Sequence, residues 1–550
     1  LKKTFLWAIH VSLLILTIFF LGWLITASWT SYLRFGYPNE TYFFWGIYIT
    51  IFIGVLIWIL TRRLSNHYVG WLALVLLVLT IPKILGIFYF KLIPASDMWT
   101  YETLANLNAT GANWPTLYAK GMLDLDSLWP HVLHIATTFG LIYRLFGVHL
   151  VVLQLLNIVA TFLDALLLYY VIKPFGGSRV GIAAALIFYL TPAFYIYSVL
   201  IGAEPLWLLA VLLSFKFFND LLLPRLHIGW LRYLMTIVSI TGFLYLAQLL
   251  RPIIMIVVIA MILYGLFSFG QSESAQAWSR KQRVLSLLMI TIGFFTLTHF
   301  STKIDQAIYR VPISNSTVGM KYTVATGSNS ATKGQYDYNM ILKLEKINHS
   351  QMSASKKFNQ MDAYLAQKIK HNLATVIKNG NLPKFIFTKS QILLQSGYGF
   401  RLFWIDTHPV THNHIPSHIK SISNSISAAS QIGIQGLAFT VAILDLIYMC
   451  YYGSKSKRIH FRTLNGLFFM EILLIGLFIA SLLVEVQDRY QVALYIPIIG
   501  IISNGISLLN QPVTDLPKLA LLTNFEQPHK IISQRKALSD LKREQPSKTK

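Results

Sequence analysis

The chain has 550 residues, 55% of them hydrophobic and 12% charged, with a mean hydropathy of +0.56. A soluble domain carries about 25% charged residues, so the composition excludes an ordinary soluble protein and points to a polytopic membrane protein. The net charge of +24 comes mainly from Lys and Arg in short loops and in the tail, which assigns it to membrane topology and anionic lipid, with no nucleic acid as partner.

Apolar runs near the length a bilayer demands predict roughly twelve transmembrane helices, at 5–28, 43–60, 69–90, 149–172, 180–199, 206–223, 233–250, 252–270, 284–300, 430–450, 464–484 and 492–509. The first run follows Lys2 and Lys3 and exceeds a typical signal-peptide core, so it is expected to be a retained anchor. With these lysines inside, Arg62, Arg63, Lys173, Arg179, Arg225, Arg232, Arg280, Lys281, Arg283, Lys455, Lys457, Arg458 and Arg462 also fall inside. The stretch His131 to Gly147 is too short to span and would invert every later loop, so it is expected to lie in the interface. Its apolar residues Val132, Ile135, Phe139 and Ile142 share one helical face.

The organisation expected is 1–68, N-terminal helices; 69–300, a transmembrane core with an outer loop at 91–148; 301–429, a small extracytoplasmic domain; 430–510, C-terminal helices; and 511–550, a basic cytoplasmic tail. In the polar domain, Lys357 to Asn372 is the clearest helix and Gly380-Asn381-Leu382-Pro383 the clearest break. The single cysteine, Cys450, lies in an apolar run, which excludes a disulfide framework or a Cys-based metal site within the chain.

Acids are few, and the stretch Pro94 to His131 holds Asp97, Glu102, Asp124 and Asp126. A carboxylate in a loop at the water interface of a membrane protein is a candidate for chemistry. Asp97 has two readings, a cap for the helix that follows and a general base. Tyr101, at i+4, shares its face, and Glu102 points elsewhere. Asp124 and Asp126 suit an acceptor or a metal, and equally a solvated loop. Glu204 stands at a helix N-terminus, where the helix dipole alone favours it. Arg251 interrupts an apolar run and needs an anionic partner, unless it snorkels to the headgroups. Arg489, squeezed between two apolar runs, either pairs locally with Glu485 or Asp488 or acts as a cation of the site.

Topology puts Asp97, Glu204, Arg251 and Arg489 on one membrane face. A base with two cations suits displacement of a phosphate leaving group, because an Arg fork bonds two phosphate oxygens at once. The run from Thr326 to Tyr336, with Asn329 in it, suits a substrate-binding turn or an ordinary surface loop. His408, His412, His414 and His418, with Asp406, leave a divalent metal open. No phosphate-loop or dinucleotide motif occurs, so no cofactor is called for.

Pro94-Ala95-Ser96-Asp97 after an early helix, then Trp129-Pro130-His131 before an amphipathic stretch ending Leu145-Phe146-Gly147, resembles the first outer loop of polytopic glycosyltransferases of the GT-C fold. The bacterial members akin to protein O-mannosyltransferases and aminoarabinose transferases (glycosyltransferase family 39-like) are the nearest in pattern. Gln154 to Asn157, Thr191-Pro192, Glu204, Arg251-Pro252, Thr326-Gly327-Ser328-Asn329 with Gly334, and Gln487-Asp488-Arg489-Tyr490 continue it across most of 75–505. Met98 stands where mannosyltransferases often have a second acid, and Ser127-Leu128-Trp129 where a Lys or Glu often precedes the proline.

The resemblance implies an all-α polytopic enzyme of the bacterial cytoplasmic membrane. It implies a polyprenyl-phosphate-linked sugar as donor and inversion at the anomeric carbon on the outer face, with a cell-envelope glycan, lipid or protein as acceptor. It makes Asp97 the base and Arg251 and Arg489 the donor-phosphate ligands. Tyr101, Glu102, His131, Glu204 and Asn329 are expected around the substrate. Two other classes fit the same layout, a polysaccharide polymerase or ligase centred on Arg and His of the large loop, and a lipid or sugar transporter. Charges clustered at helix ends weigh against transport, which places them at the midplane.

Overall fold

A computed structural model describes the chain except for residues 1, 37, 65–68, 124, 223–228, 269–279, 315, 409–415, 453–460 and 510–550. Three apolar helices come first, α1 (Lys2–Phe35), α2 (Glu40–Leu64) and α3 (Val69–Tyr89). A two-residue strand, β1 (Lys91–Leu92), leads into α4 (Asp97–Ala109), α5 (Trp114–Ala119) and α6 (Pro130–Phe146). The 41-residue α7 (Leu150–Leu190) bends at Gly177, whose φ of +79° is open to glycine and costly to other residues. Then come α8 (Pro192–Tyr197), α9 (Glu204–Leu222), α10 (Trp230–Leu250), α11 (Met255–Phe267) and α12 (Arg280–Tyr309). A more polar series follows, α13 (Ser316–Gly327), α14 (Tyr338–Asn348), α15 (Ala354–Lys378), α16 (Leu382–Leu393) and α17 (Tyr398–Asp406), with strand β2 (Thr407–His408) after it. The last described elements are α18 (Ser417–Tyr452), α19 (Phe461–Leu483) and α20 (Val492–Leu509). Apart from the antiparallel pairing of β1 with β2, the described fold is all-α.

Nine helices among the described residues are long and apolar enough to cross a membrane, so the chain is a multi-pass membrane protein. The sequence predicts about twelve. The expected spans 149–172 and 180–199 lie on either side of the Gly177 break inside α7, and the second continues past Leu190 into α8. The expected span 206–223 falls on α9, an apolar helix that carries Lys216 and Asp220 in its second half. With only 13 residues, α11 is about 20 Å long, short of a hydrocarbon core of about 30 Å.

The spanning helices pack pairwise, α1 and α2 on α18, α7 on α9 and α20, α19 on α20, and α3 on α7. Their polar-segment neighbours are built differently. Pro130 starts α6 and Gly147, at φ +91°, ends it. Of the expected face, Val132, Ile135 and Phe139 are buried and Ile142 is partly buried, α6 packs on α4, and Leu141, Leu145 and Phe146 are exposed. The helix expected from Lys357 runs longer, over Ala354–Lys378, and the break falls where expected, with Gly380 at φ +63° and Pro383 opening α16. Helices α13 to α15 hold a second hydrophobic core, made by Val318, Tyr322, Met340, Leu344, Met361 and Leu365. Leu125 and Leu128, from the loop before α6, insert into it, so the two polar regions form one layer over the membrane helices.

Candidate active site

Four separate segments end at one place. They are the start of α4, the start of α9, the residue after α10, and the 3-10 turn Asp488–Gln491 between α19 and α20. Asp97 is the first residue of α4, and its side chain does not cap that helix. Arg489 donates from Nη2 to Asp97 Oδ2. Before it, Ser96 takes φ +54°, ψ −137°, a conformation that non-glycine residues rarely adopt. That turn aims the Asp97 carboxylate towards Arg489, an arrangement held at the cost of local strain. Beneath it, Ile93 N donates to Asp406 O at 2.5 Å and the β1–β2 pair fixes the approach of the chain.

Glu204 is placed by the turn before α9. Asn157 Nδ2 donates to Leu200 O at 2.7 Å and Gly202 O at 2.8 Å, and Gln154 Nε2 to Val199 O at 2.9 Å. A Cβ at Gly202 would lie 2.1 Å from Tyr197 Oη and 2.5 Å from Glu204 Oε2, so the turn requires glycine. Glu204 is 1% exposed. Its Oε2 accepts from Tyr197 Oη and its Oε1 from Arg251 Nη2, while Arg489 Nε lies 3.8 Å from Oε1.

The result is a chain of alternating charge, Asp97, Arg489, Glu204, Arg251. Side-chain exposure is 42% for Asp97, 9% for Arg489, 2% for Glu204 and 16% for Arg251. Asp97 is therefore the carboxylate that meets solvent. The Arg489 guanidinium beside it holds its carboxyl down at about 2, against the opposing effect of burial. Although the four charges sum to zero, their hydrogen bonding is incomplete. Arg251 Nε and Arg489 Nε are buried donors without a hydrogen-bond acceptor. Buried guanidinium donors left in this way favour an arriving anion. The ring of Tyr490 lies against both cations, 5.1 Å from Arg251 Cζ and 5.7 Å from Arg489 Cζ.

A cavity of about 230 Å³ opens beside Arg489, with Ser96, Gln335, Tyr336, Arg401 and Gln487 among its lining. Arg401, half exposed, pairs with buried Asp488. Arg489 thus pairs with neither neighbouring acid, because Asp488 turns to Arg401 and Glu485 accepts from Gln487 at 2.9 Å.

The other expected residues divide. Buried Tyr101 lies within electrostatic reach of the cluster, and burial first, then Asp97, pushes its phenol up. Burial, then the charge of Arg251, pushes the His131 imidazole down to about 3, which keeps it neutral. Glu102 turns to the other side of α4, where its carboxylate accepts from Tyr143 Oη at 3.4 Å. Asn329 lies in the polar layer, donating to Asp337 Oδ2 at 2.7 Å and accepting from Ala331 N at 3.0 Å. Asp126 opens a 3-10 turn before α6, and Asp124 lies outside the described residues. Of the histidines weighed for metal, His412 and His414 lie outside the described residues; among those described, no group of three or more His, Cys, Asp or Glu is arranged to hold a metal ion.

Sequence reasoning passed over Tyr197, Arg401 and the ring of Tyr490 as parts of the site. Tyr490 had a signal, since it adjoins Arg489, whereas Tyr197 is one of several tyrosines in an apolar stretch. Comparison with protein-family models finds no match, and comparison with curated proteins finds none. Among solved structures, ArnT from Cupriavidus metallidurans bound to undecaprenyl phosphate is similar at a TM-score of 0.31 and 11% identity, over 80% of this chain and 78% of that one. The apo state of the same protein gives a TM-score of 0.30 and 12% identity, over 80% and 77%.

Proposed function

We infer that this chain is a membrane glycosyltransferase that moves a hexose from a polyprenyl-phosphate donor to a hydroxyl of a cell-envelope glycan, lipid or protein. The observation that carries this is a pair of guanidiniums, Arg489 buried and Arg251 partly buried, each with a buried, unsatisfied Nε donor, set beside a half-exposed carboxylate in a chain that spans a membrane. In this mechanism the face bearing the site is the outer face. Arg251 and Arg489 receive the lipid phosphate, the Tyr490 ring backs both, and Asp97 faces the acceptor.

The acceptor oxygen attacks the anomeric carbon opposite the phosphate. The bond from that carbon to the phosphate oxygen breaks, and the lipid phosphate leaves with the electron pair. The acceptor proton passes to Asp97. Paired with Arg489, Asp97 is too acidic to be a strong base. As negative charge grows on the leaving phosphate, Arg489 is shared with it and its hold on Asp97 weakens, which raises the basicity of the carboxylate when the proton moves. Glu204 stays ion-paired behind both guanidiniums and keeps their forks in place.

The test is transfer from a radiolabelled polyprenyl-phosphate hexose into membrane and wall fractions, with wild type and Asp97→Asn at equal expression. Transfer by wild type that falls at least about 100-fold in the variant is the expected result. Equal transfer by both would remove Asp97 from the chemistry. Absence of transfer from any polyprenyl donor would favour a polymerase, ligase or transporter.

A further inference from the structure

Helix α13 and the loop that follows it contact the functional segment by backbone. Glu485 N donates to Thr323 O at 2.7 Å and Val486 N to Gly334 O at 2.9 Å. Residues 484–487 lead directly into Arg489, so these bonds tie the cationic turn to the polar layer. Lys389 of α16 lies at the centre of the junction, 1% exposed, and its ammonium donates to Gly327 O at 2.6 Å and Val484 O at 2.7 Å. One carbonyl belongs to the last residue of α13, and the other follows α19. Two glycines make the approach possible. A Cβ at Gly327 would lie 2.2 Å from the Val484 carbonyl carbon, and one at Gly334 (φ +76°) would lie 2.7 Å from Lys389 Cε.

A buried ammonium costs free energy unless it is hydrogen-bonded. Here it bridges backbone from the two bodies that border the cavity, Gln335 and Tyr336 on one side and Gln487 and Arg489 on the other. We propose that Lys389 is a positioning residue, a latch that joins the 327–336 loop to segment 484–487 and so holds Arg489 at its working distance from Asp97. The loop with Thr326-Gly327 and Lys333-Gly334 then serves as the receiver of this latch. The catalytic part of the proposal rests on the transferase function inferred above, whereas the mechanical part does not.

The experiment compares wild type with Lys389→Met, Gly334→Ala and the double variant, full-length and in detergent. Hydrogen exchange is followed in peptides covering 323–336 and 484–487. Each single variant is expected to speed exchange at least tenfold in both peptides, leave the spanning helices unchanged, and be no worse when combined. In the transfer assay kcat falls by about 10- to 100-fold and donor KM rises, the pattern of displacing Arg489, which both receives the donor phosphate and pairs with Asp97. Exchange unchanged at 484–487, exchange raised equally throughout the chain, or additive effects in the double variant would each overturn the latch. If wild type shows no transfer, the exchange arm still decides the latch, and only the transferase function fails.

Discussion

Replacing Glu204 by Gln tests whether the four charges act as one unit. The substitution keeps the shape and removes one negative charge, leaving two guanidiniums that share Asp97 alone. Glu204 Oε1 lies 3.8 Å from Arg489 Nε, which at an effective dielectric of about 20 corresponds to about 4 kcal/mol of attraction. Arg251 bonds the same oxygen directly. Removing one partner from a buried ion pair costs about 3–5 kcal/mol, because the other charge stays buried. Glu204→Gln is therefore expected to destabilise the protein by about that amount at pH 7, followed by tryptophan fluorescence during denaturant unfolding in mild detergent.

A second readout gives the effect a sign. With the cluster at one negative and two positive charges, an added polyprenyl phosphate should stabilise the variant more than wild type. At a concentration of about 100 times its dissociation constant the gain is about 2.7 kcal/mol. A stability loss under about 1 kcal/mol would show that solvent screens the pairs as it does surface ones. Equal stabilisation of both proteins by the phospholipid would show that the guanidiniums do not receive it.

Two further substitutions probe the frame around Asp97. Ser96→Gly relieves the strain of a positive φ and should raise stability by about 1 kcal/mol after the entropy cost of glycine, with the Asp97–Arg489 pair kept; a loss of stability would show that the Ser96 hydroxyl matters more than its backbone. Buried Asp406 has its carboxyl pushed up to about 7, chiefly by burial. The folded protein therefore binds a proton there that the unfolded chain has lost, so stability should fall as pH rises from about 4 to about 7. Asp406→Asn should flatten that limb in unfolding measured across the same range, and an unchanged slope would assign it to other groups.

How much was legible follows from which forces are local. Runs such as Phe5 to Ser28 declare a spanning helix because no other structure hides so many apolar side chains and satisfies its own backbone. The α6 stripe was readable for the same local reason, since Val132, Ile135 and Phe139 recur at helical spacing. Membrane sidedness extended this further. Alternation of basic loops placed Asp97, Glu204, Arg251 and Arg489 on one face before any contact was known, and the structure joins those four. Span number was less legible, because the 13-residue α11 reads much like an ordinary span when only hydropathy is counted.

Pairing was beyond the sequence. Arg489 has acids four residues before it and one residue before it, yet its partner is Asp97, 392 positions away. Only tertiary packing decides this, by turning Asp488 to Arg401 and leaving the Arg489 fork towards α4. Asn329 shows the converse, since a small polar loop suited to ligand is equally suited to its own turn, and packing chose Asp337 as its partner. Composition and hydropathy by themselves determined that this is a helical membrane protein, because those properties depend on solvent alone. Which carboxylate meets which cation, and which is exposed, was decided by the tertiary structure, because electrostatic partners are set by distances of a few ångströms between segments hundreds of residues apart.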